Sequence, residues 1–173
     1  RRRHTRFKCD WSSDVCSSDL LRSEILETGD SRVKSAKIAI DAPAATIFNL
    51  LTKPQRHPDF DGSGTVKGQF TGEESLFLGA KFGMKMKLGI RYRIINTVVE
   101  YKENEVIAWR HLGRWIWRYE LQELSPNKTL VTETFDGRPS PFQWWLNARK
   151  AYPFTQIAVA KTLVRLKKLV EAQ

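Results

Sequence analysis

The sequence predicts an α+β fold in which a curved antiparallel sheet of about seven strands wraps around one long C-terminal helix. Residues 155–172 repeat apolar side chains at three- and four-residue steps, which places them on one face of a helix. Residues 76–136 alternate apolar and polar side chains over short stretches separated by turns, which is typical of antiparallel strands with one covered face. We therefore expect the helix to bury its apolar face against the sheet.

Residues 1–20 are interpreted as translated sequencing adapter rather than as part of the folded protein. Common library adapters, read in one frame, encode Arg1–Arg6 and, in a second piece, Asp10–Leu20. The alternative is a basic, serine-rich disordered tail, and a secretory signal is not expected because no apolar stretch follows the arginines. We assign residues 1–31 to a tail and irregular lead-in, and residues 32–172 to one domain.

Setting the tail aside limits the kinds of site that the domain can contain. Both cysteines, Cys9 and Cys16, lie in the tail, so we expect neither a disulfide nor a thiolate metal site. The histidines are too scattered for a metal centre, and we expect no metal and no organic cofactor.

No apolar run approaches the ~18 residues of a membrane span, and we expect a cytoplasmic protein. The remaining chain keeps 24 basic and 16 acidic residues, a net charge of +8.

The sequence of the first half of the domain predicts one strand, two short helices and a second strand. The strand covers residues 32–40, and Asp41 or Ala42 is expected to cap a helix that ends before Pro54. Residues 55–60 predict the second short helix, and residues 65–70 predict a strand after a glycine-rich turn.

Period-two alternation defines the rest of the sheet. It predicts strands near residues 81–88, 91–99, 106–112, 115–122 and 129–136. The C-terminal helix then presents Val159, Leu163, Leu166 and Val170 on one side, with Lys161, Arg165 and Lys168 on the other.

This order of elements resembles the START-like superfamily, also called SRPBCC, birch-pollen-allergen-like or polyketide cyclase/dehydrase-like. The resemblance covers roughly residues 32–171 and rests on IDAPAATIFNLLTKPQRHPDFDGSGTV at 40–66, NTVVEY at 96–101, IAWR at 107–110, WRYELQEL at 117–124 and VTETFD at 131–136. It implies a helix-grip fold whose sheet and helix enclose an apolar cavity for a lipid, sterol, polyketide or similar ligand. Because such folds serve carriers, sensors and cyclases alike, the resemblance does not fix the function.

We expect the covered face of the sheet and the helix to line that cavity, although the same side chains could instead fill a solid core. The expected ligand-binding residues are Phe82, Met84, Met86, Tyr92, Ile94, Asn96, Trp117, Tyr119, Leu121, Val131, Glu133, Phe135, Val159 and Leu163. A few polar groups on an apolar wall would orient the ligand.

Glu133 and His57 are the candidate acid/base residues for an alternative function as a polyketide cyclase or dehydratase-type enzyme. A buried Glu133 would need either protonation or a positive partner. We expect Arg110 or Arg118 to hold it ionised, which favours binding over catalysis. His57 belongs to a polar loop with Asp59 and Asp61, where turn capping is the simpler interpretation.

A third possibility is a module that binds a partner through its basic face. Nucleic acid is not expected, because the helix should cover the aromatic side chains that would stack on bases.

Trp144 and Trp145 lie in a proline-flanked stretch, where they could cover the cavity mouth or contact a second subunit or a membrane. We expect a monomer or a homodimer.

Overall fold

The computed structural model describes residues 22–68 and 70–172, so the adapter interpretation of residues 1–20 lies outside the described residues. The helices are α1 (Ala44–Leu51), α2 (His57–Phe60), α3 (Gln143–Ala148) and α4 (Ala151–Glu171), with a 3-10 turn at Pro54–Arg56. The strands are β1 (Glu24–Leu26), β2 (Val33–Ile40), β3 (Thr71–Gly72), β4 (Lys81–Leu88), β5 (Ile90–Lys102), β6 (Val106–His111), β7 (Ile116–Ser125) and β8 (Lys128–Asp136).

All described strands join one antiparallel sheet in the order β1-β2-β8-β7-β6-β5-β4-β3. β4 to β8 form the predicted meander, and β2 returns beside β8. Bulges between Val98 and Glu100 on β5, and between Glu123 and Ser125 on β7, increase the local twist. The α+β helix-grip architecture is therefore confirmed, with an open sheet of eight strands.

Two stretches of the sheet differ from the sequence prediction. The lead-in is not irregular throughout, because β1 pairs with β2. The strand predicted over residues 65–70 is wrong, since Val66 makes only an isolated bridge to Met86 and β3 is two residues long. Gly64 and Gly68 have φ angles of 67° and 73°, which interrupt an extended backbone on both sides of Val66.

The helix boundaries also differ in detail. Pro43 occupies the N-cap of α1, so the expectation of a cap at Asp41 or Ala42 is wrong. α4 begins at Ala151 and takes Pro153 into its first turn, where a missing backbone N–H costs no intrahelical bond. α3, which was not predicted, immediately precedes it.

α4 packs against the sheet, as the sequence predicted, but mainly against β2, which lies outside the strands of residues 76–136, and to a smaller extent against β8. Val159, Leu163 and Leu166 are fully buried, whereas Lys161 and Arg165 are exposed on the opposite side. Burial of each of these apolar side chains contributes about 1.5–3 kcal/mol. α1 and α2 add their apolar side chains to the same core. None of the helices in residues 22–68 and 70–172 combines the length and apolarity needed to cross a bilayer.

Candidate functional site

The register of the central strands gathers the inward-facing side chains into rows. Glu133 on β8 lies opposite Ala36 on β2 and opposite Tyr119 on β7, so all three share one face. The next row along these strands pairs Leu121 with Val131. This face points toward α4 and the core, as expected from the alternation.

Glu133 is a fully buried carboxyl group with one hydrogen-bonded oxygen. It is 1% exposed, and the Tyr119 hydroxyl donates to its Oε1 over 2.8 Å. Its Oε2 has no hydrogen-bond partner among the described residues. Burial raises the pKa of Glu133 well above its usual value of 4.5, because the ionised form loses its hydration; the hydrogen bond from Tyr119 lowers the pKa in part, and the nearby charge of Asp61 raises it. Burial therefore favours the protonated carboxyl group, whose O–H can be donated.

The expectation that Arg110 or Arg118 holds Glu133 ionised is wrong. Arg118 pairs instead with Glu100 at 2.7 Å and with Glu120 at 2.6 Å, on the outer face of the sheet. Arg110 is exposed. Both arginines occupy positions that alternate with inward-facing neighbours, so their side chains lie on the opposite side of the sheet from Glu133.

Asn96 is the second buried polar side chain on this face. It is 2% exposed and lies opposite Phe82 on β4 and His111 on β6. Its Nδ2 has no hydrogen-bond partner in the described ranges. An unpaired buried amide costs about 1–3 kcal/mol. Asn96 Nδ2 and Glu133 Oε2 are thus two polar atoms, brought inside the fold, that a ligand oxygen could satisfy.

His57 is also buried, but its contacts are those of a packed core residue. Its Nε2–H faces the Leu51 carbonyl at 2.8 Å, and its ring stacks on Trp109 with centroids 5.0 Å apart. Burial lowers the pKa of His57 to about 4, so the ring is neutral at pH 7. Trp109 contacts Phe82 and Tyr119 as well. Trp109 was missing from the predicted site, although its alternation with Ile107 on β6 could have identified it.

Asp61 and its neighbours form the capped turn that the sequence suggested. Asp61 Oδ1 accepts from the Ser63 backbone N–H, and its Oδ2 accepts from that of Val66. Asp59 pairs with Arg56. No group of three or more His, Cys, Asp or Glu side chains within the described part of the chain is arranged to hold a metal ion.

The predicted ligand-binding residues divide into a buried and a partly open group. Ten are buried: Phe82, Met84, Asn96, Tyr119, Leu121, Val131, Glu133, Phe135, Val159 and Leu163. Four lie toward the other end of the face and are partly or largely accessible: Met86, Tyr92, Ile94 and Trp117. Their contact with a ligand stays a prediction.

An open groove of about 990 Å³ adjoins this accessible end. Ile94 and Trp115 contribute to the groove and also pack against the core. Trp145 on α3 stacks parallel to Trp115, with centroids 6.5 Å apart, whereas Trp144 is 71% exposed. The two adjacent tryptophans therefore have different environments: Trp145 holds α3 beside the β6–β7 turn, and Trp144 faces outward.

A comparison with known proteins finds a matching family model and related sequences. A family model described as "Polyketide cyclase / dehydrase and lipid transport" matches residues 32–171. Uncharacterized protein Rv0088 of Mycobacterium tuberculosis is 43% identical over 119 residues, which cover 68% of this chain and 53% of that protein. The chain thus spans about half the length of the curated relatives it matches.

Solved structures with low sequence identity share the fold. A protein from Arthrobacter aurescens superposes with a TM-score of 0.65 at 14% identity, covering 84% of this chain and 91% of that one. The Polyketide_cyc-like protein Cgl2372 from Corynebacterium glutamicum gives a TM-score of 0.59 at 18% identity, covering 81% and 91%. At such identities the likeness concerns the fold alone.

Proposed function

This chain belongs to the polyketide cyclase/dehydrase and lipid transport family, and on that premise we propose that it binds a small hydrophobic ligand between the sheet and α4. The ligand is of lipid, polyketide or aromatic type and carries an oxygen that accepts a hydrogen bond. The observation that supports this most directly is the buried Glu133, whose Oε2 has no partner among the described residues while its Oε1 accepts the Tyr119 hydroxyl.

The energetics of Glu133 favour a ligand with an acceptor oxygen. A protonated carboxyl group in an apolar surrounding retains an unsatisfied donor, which costs about 1–3 kcal/mol. A ligand carbonyl or hydroxyl oxygen would remove that cost, whereas a carboxylate ligand would have to lose its own hydration beside an uncharged partner. Apolar neighbours such as Leu121 and Val131 supply the remaining contact area.

Uptake of the neutral dye Nile red tests binding with a matched pair of substitutions on one strand. Leu121 on β7 is 5% exposed and faces inward, whereas Leu124 on the same strand is 50% exposed. Leu121→Trp should fill the proposed site and weaken dye binding about tenfold, equivalent to ~1.4 kcal/mol. Leu124→Trp should bind the dye like the unaltered protein.

Dye binding that is absent from the unaltered protein, or equal in both variants, would contradict the proposed site. Because an inserted tryptophan can cost about 1–3 kcal/mol of stability, circular dichroism should accompany each titration. Met84→Trp, also 5% exposed, provides a second variant on β4 if Leu121→Trp does not fold.

A second candidate function is acid/base catalysis of the cyclase or dehydratase type. The observation that favours it is the raised pKa of the buried Glu133 in the absence of a basic partner within the described residues, since a carboxyl group that favours its protonated form can donate a proton to a bound substrate. His57 is a weaker candidate, because its Nε2–H is already directed at the Leu51 carbonyl. We propose Glu133 as the proton donor and Tyr119 as the residue that positions it.

Native mass spectrometry of small molecules that copurify with the protein distinguishes the two candidates. A binder should retain the same mass in the unaltered protein and in Glu133→Gln, although less of it in the variant. An enzyme should retain product in the unaltered protein and substrate in the variant, and for a dehydratase these differ by one water. Identical ligand masses in both proteins would argue against catalysis by Glu133.

A further inference from the structure

A second surface feature, separate from the buried carboxyl group, concentrates apolar and basic side chains around the open groove. We call it the aromatic–basic patch. Its apolar members are Ile95, Leu112, Phe142, Trp144 and Trp145, and its basic members are Lys81, Arg93, Arg110 and Arg114. Leu112 is 91% exposed, Trp144 is 71% exposed and Ile95 is 67% exposed. Exposed apolar side chains that lie together in this way indicate an interaction site.

The charged side chains that line the aromatic–basic patch are, among the described residues, all basic. Four of the residues that line the groove are basic, and none of the described lining residues is acidic. Arg149 adds a further cation, with its guanidinium 5.8 Å from the centre of the Trp145 ring. Such a surface attracts anions, and it would repel a second copy of itself in a two-fold contact.

We propose that the aromatic–basic patch binds the surface of membranes that contain anionic lipids. Tryptophan rings are stable at the boundary between headgroups and acyl chains, and neighbouring basic side chains pair with anionic headgroups. Leu112 lies in the turn between β6 and β7 and is 91% exposed, so its apolar side chain is available to a membrane surface. Leucine and isoleucine have no π face for base stacking, so the patch suits a lipid surface better than single-stranded nucleic acid.

Vesicle flotation of the full chain tests the apolar part of the patch. Vesicles of phosphatidylcholine alone are compared with vesicles that also contain phosphatidylglycerol, at low and high salt. Leu112→Glu should lose binding to the anionic vesicles. Leu124→Glu is the matched control, because Leu124 is also an exposed leucine beside a hairpin turn but lies at the opposite end of the meander.

The basic part of the patch is tested by a second matched pair. Arg110→Gln should weaken binding to anionic vesicles about fivefold, the effect of one basic side chain near a charged membrane surface. Lys128→Gln alters an exposed cation near Leu124 and should leave binding unchanged. Binding should also fall with added salt, because the attraction is screened.

Four results would overturn the proposal. The first is failure of the unaltered protein to bind phosphatidylglycerol vesicles at low salt. The second is equal loss of binding in Leu112→Glu and Leu124→Glu. The third is a dimer in solution that Leu112→Glu converts to a monomer, which would assign the patch to self-association. The fourth is binding of a single-stranded oligonucleotide without any binding of vesicles, in which Leu112→Glu leaves the oligonucleotide binding unchanged. The test is independent of the proposed internal ligand.

Discussion

At the scale of single residues, Glu133 has the largest expected influence on how stability depends on pH. Its pKa in the folded protein is raised well above the usual value of 4.5, so its contribution to stability is fully present below pH 4.5. That contribution is lost as the pH rises toward the pKa of the folded state, because the unfolded chain releases the proton first.

Glu133→Gln should therefore become progressively more stable than the unaltered protein as the pH rises above 4.5. The glutamine keeps an oxygen for the Tyr119 hydroxyl but has no proton to lose. The difference in free energy of unfolding should grow by about 1.4 kcal/mol per pH unit until the folded-state pKa is reached. Denaturant titrations at several pH values measure it.

Glu123→Gln is the control, because Glu123 is an exposed carboxyl group on β7. Measurements above about pH 7.5 separate the titration of Glu133 from that of His57 and His111. Burial lowers the pKa of each ring to about 4, and a histidine in the unfolded chain keeps its usual pKa of 6.5, so above about pH 7.5 both rings are largely neutral in the folded and unfolded states. A stability difference for Glu133→Gln that does not change with pH would show that Glu133 is ionised in the folded protein.

Part of the candidate site could be predicted from the side of the strand on which each residue lies. Alternation placed Glu133 and Tyr119 on the covered face, and the structure joins them by a hydrogen bond. The same alternation placed Arg118 on the opposite face, so the expected pairing with Glu133 ignored the direction of the side chain. That Asn96 Nδ2 has no partner within residues 22–68 and 70–172 depends on how several strands pack together, which no local pattern contains.

At the scale of elements, the loop after α2 depends on Gly62. The Gly62 N–H donates to Thr162 Oγ1 on α4 over 2.9 Å, and a Cβ at this position would overlap the α4 backbone at Ala158 and Thr162. Gly62→Ala should therefore push the loop away from the helix and cost about 3 kcal/mol, since a packed backbone cannot move aside without strain.

Gly64→Ala provides the comparison in the same loop. Gly64 has a φ of 67° with open space around it, so alanine there should cost only the ~1 kcal/mol of a left-handed conformation. Thermal unfolding of both variants measures the difference. Equal losses would show that the contact with α4 contributes little to stability.

Element prediction succeeded where the periodicity was long and failed where it was short. β4 to β8 and the apolar face of α4 each repeat their pattern over at least six residues. β1 and β3 are three and two residues long, too short for any periodicity to be recognised. The N-cap residue of α3, Phe142, makes no side-chain capping hydrogen bond within the described residues, while Trp145 and Leu146 pack on the rest of the fold, so the helix has no local start signal in the sequence.

At the scale of the whole molecule, two N-terminal deletions test which of the first 31 residues contribute to the stability of the fold. Removal of residues 1–20 should leave the Tm unchanged if that segment is translated adapter. Removal of residues 1–31 also removes β1, which pairs with β2, and the Ser23 hydroxyl, which donates to the Ala160 carbonyl of α4 over 2.9 Å.

The longer deletion should lower the Tm by at least about 3 °C, because ~1 kcal/mol shifts the Tm by 2–4 °C in a domain of this size. It also exposes the edge of β2 to pairing with other chains, so light scattering should accompany the melt. A Tm that falls equally after both deletions would contradict the adapter interpretation.

Burial of the Glu133 carboxyl group also couples folding to proton uptake, and the Tyr119 hydroxyl, by donating to the carboxylate, opposes part of that uptake. In the unfolded chain at pH 7.5 the Glu133 carboxyl is ionised, whereas burial in the folded protein favours the protonated form. Folding is therefore expected to take up protons from the buffer. The calorimetric heat of unfolding should consequently differ between phosphate and Tris, whose ionisation heats differ, and Glu133→Gln should abolish that difference.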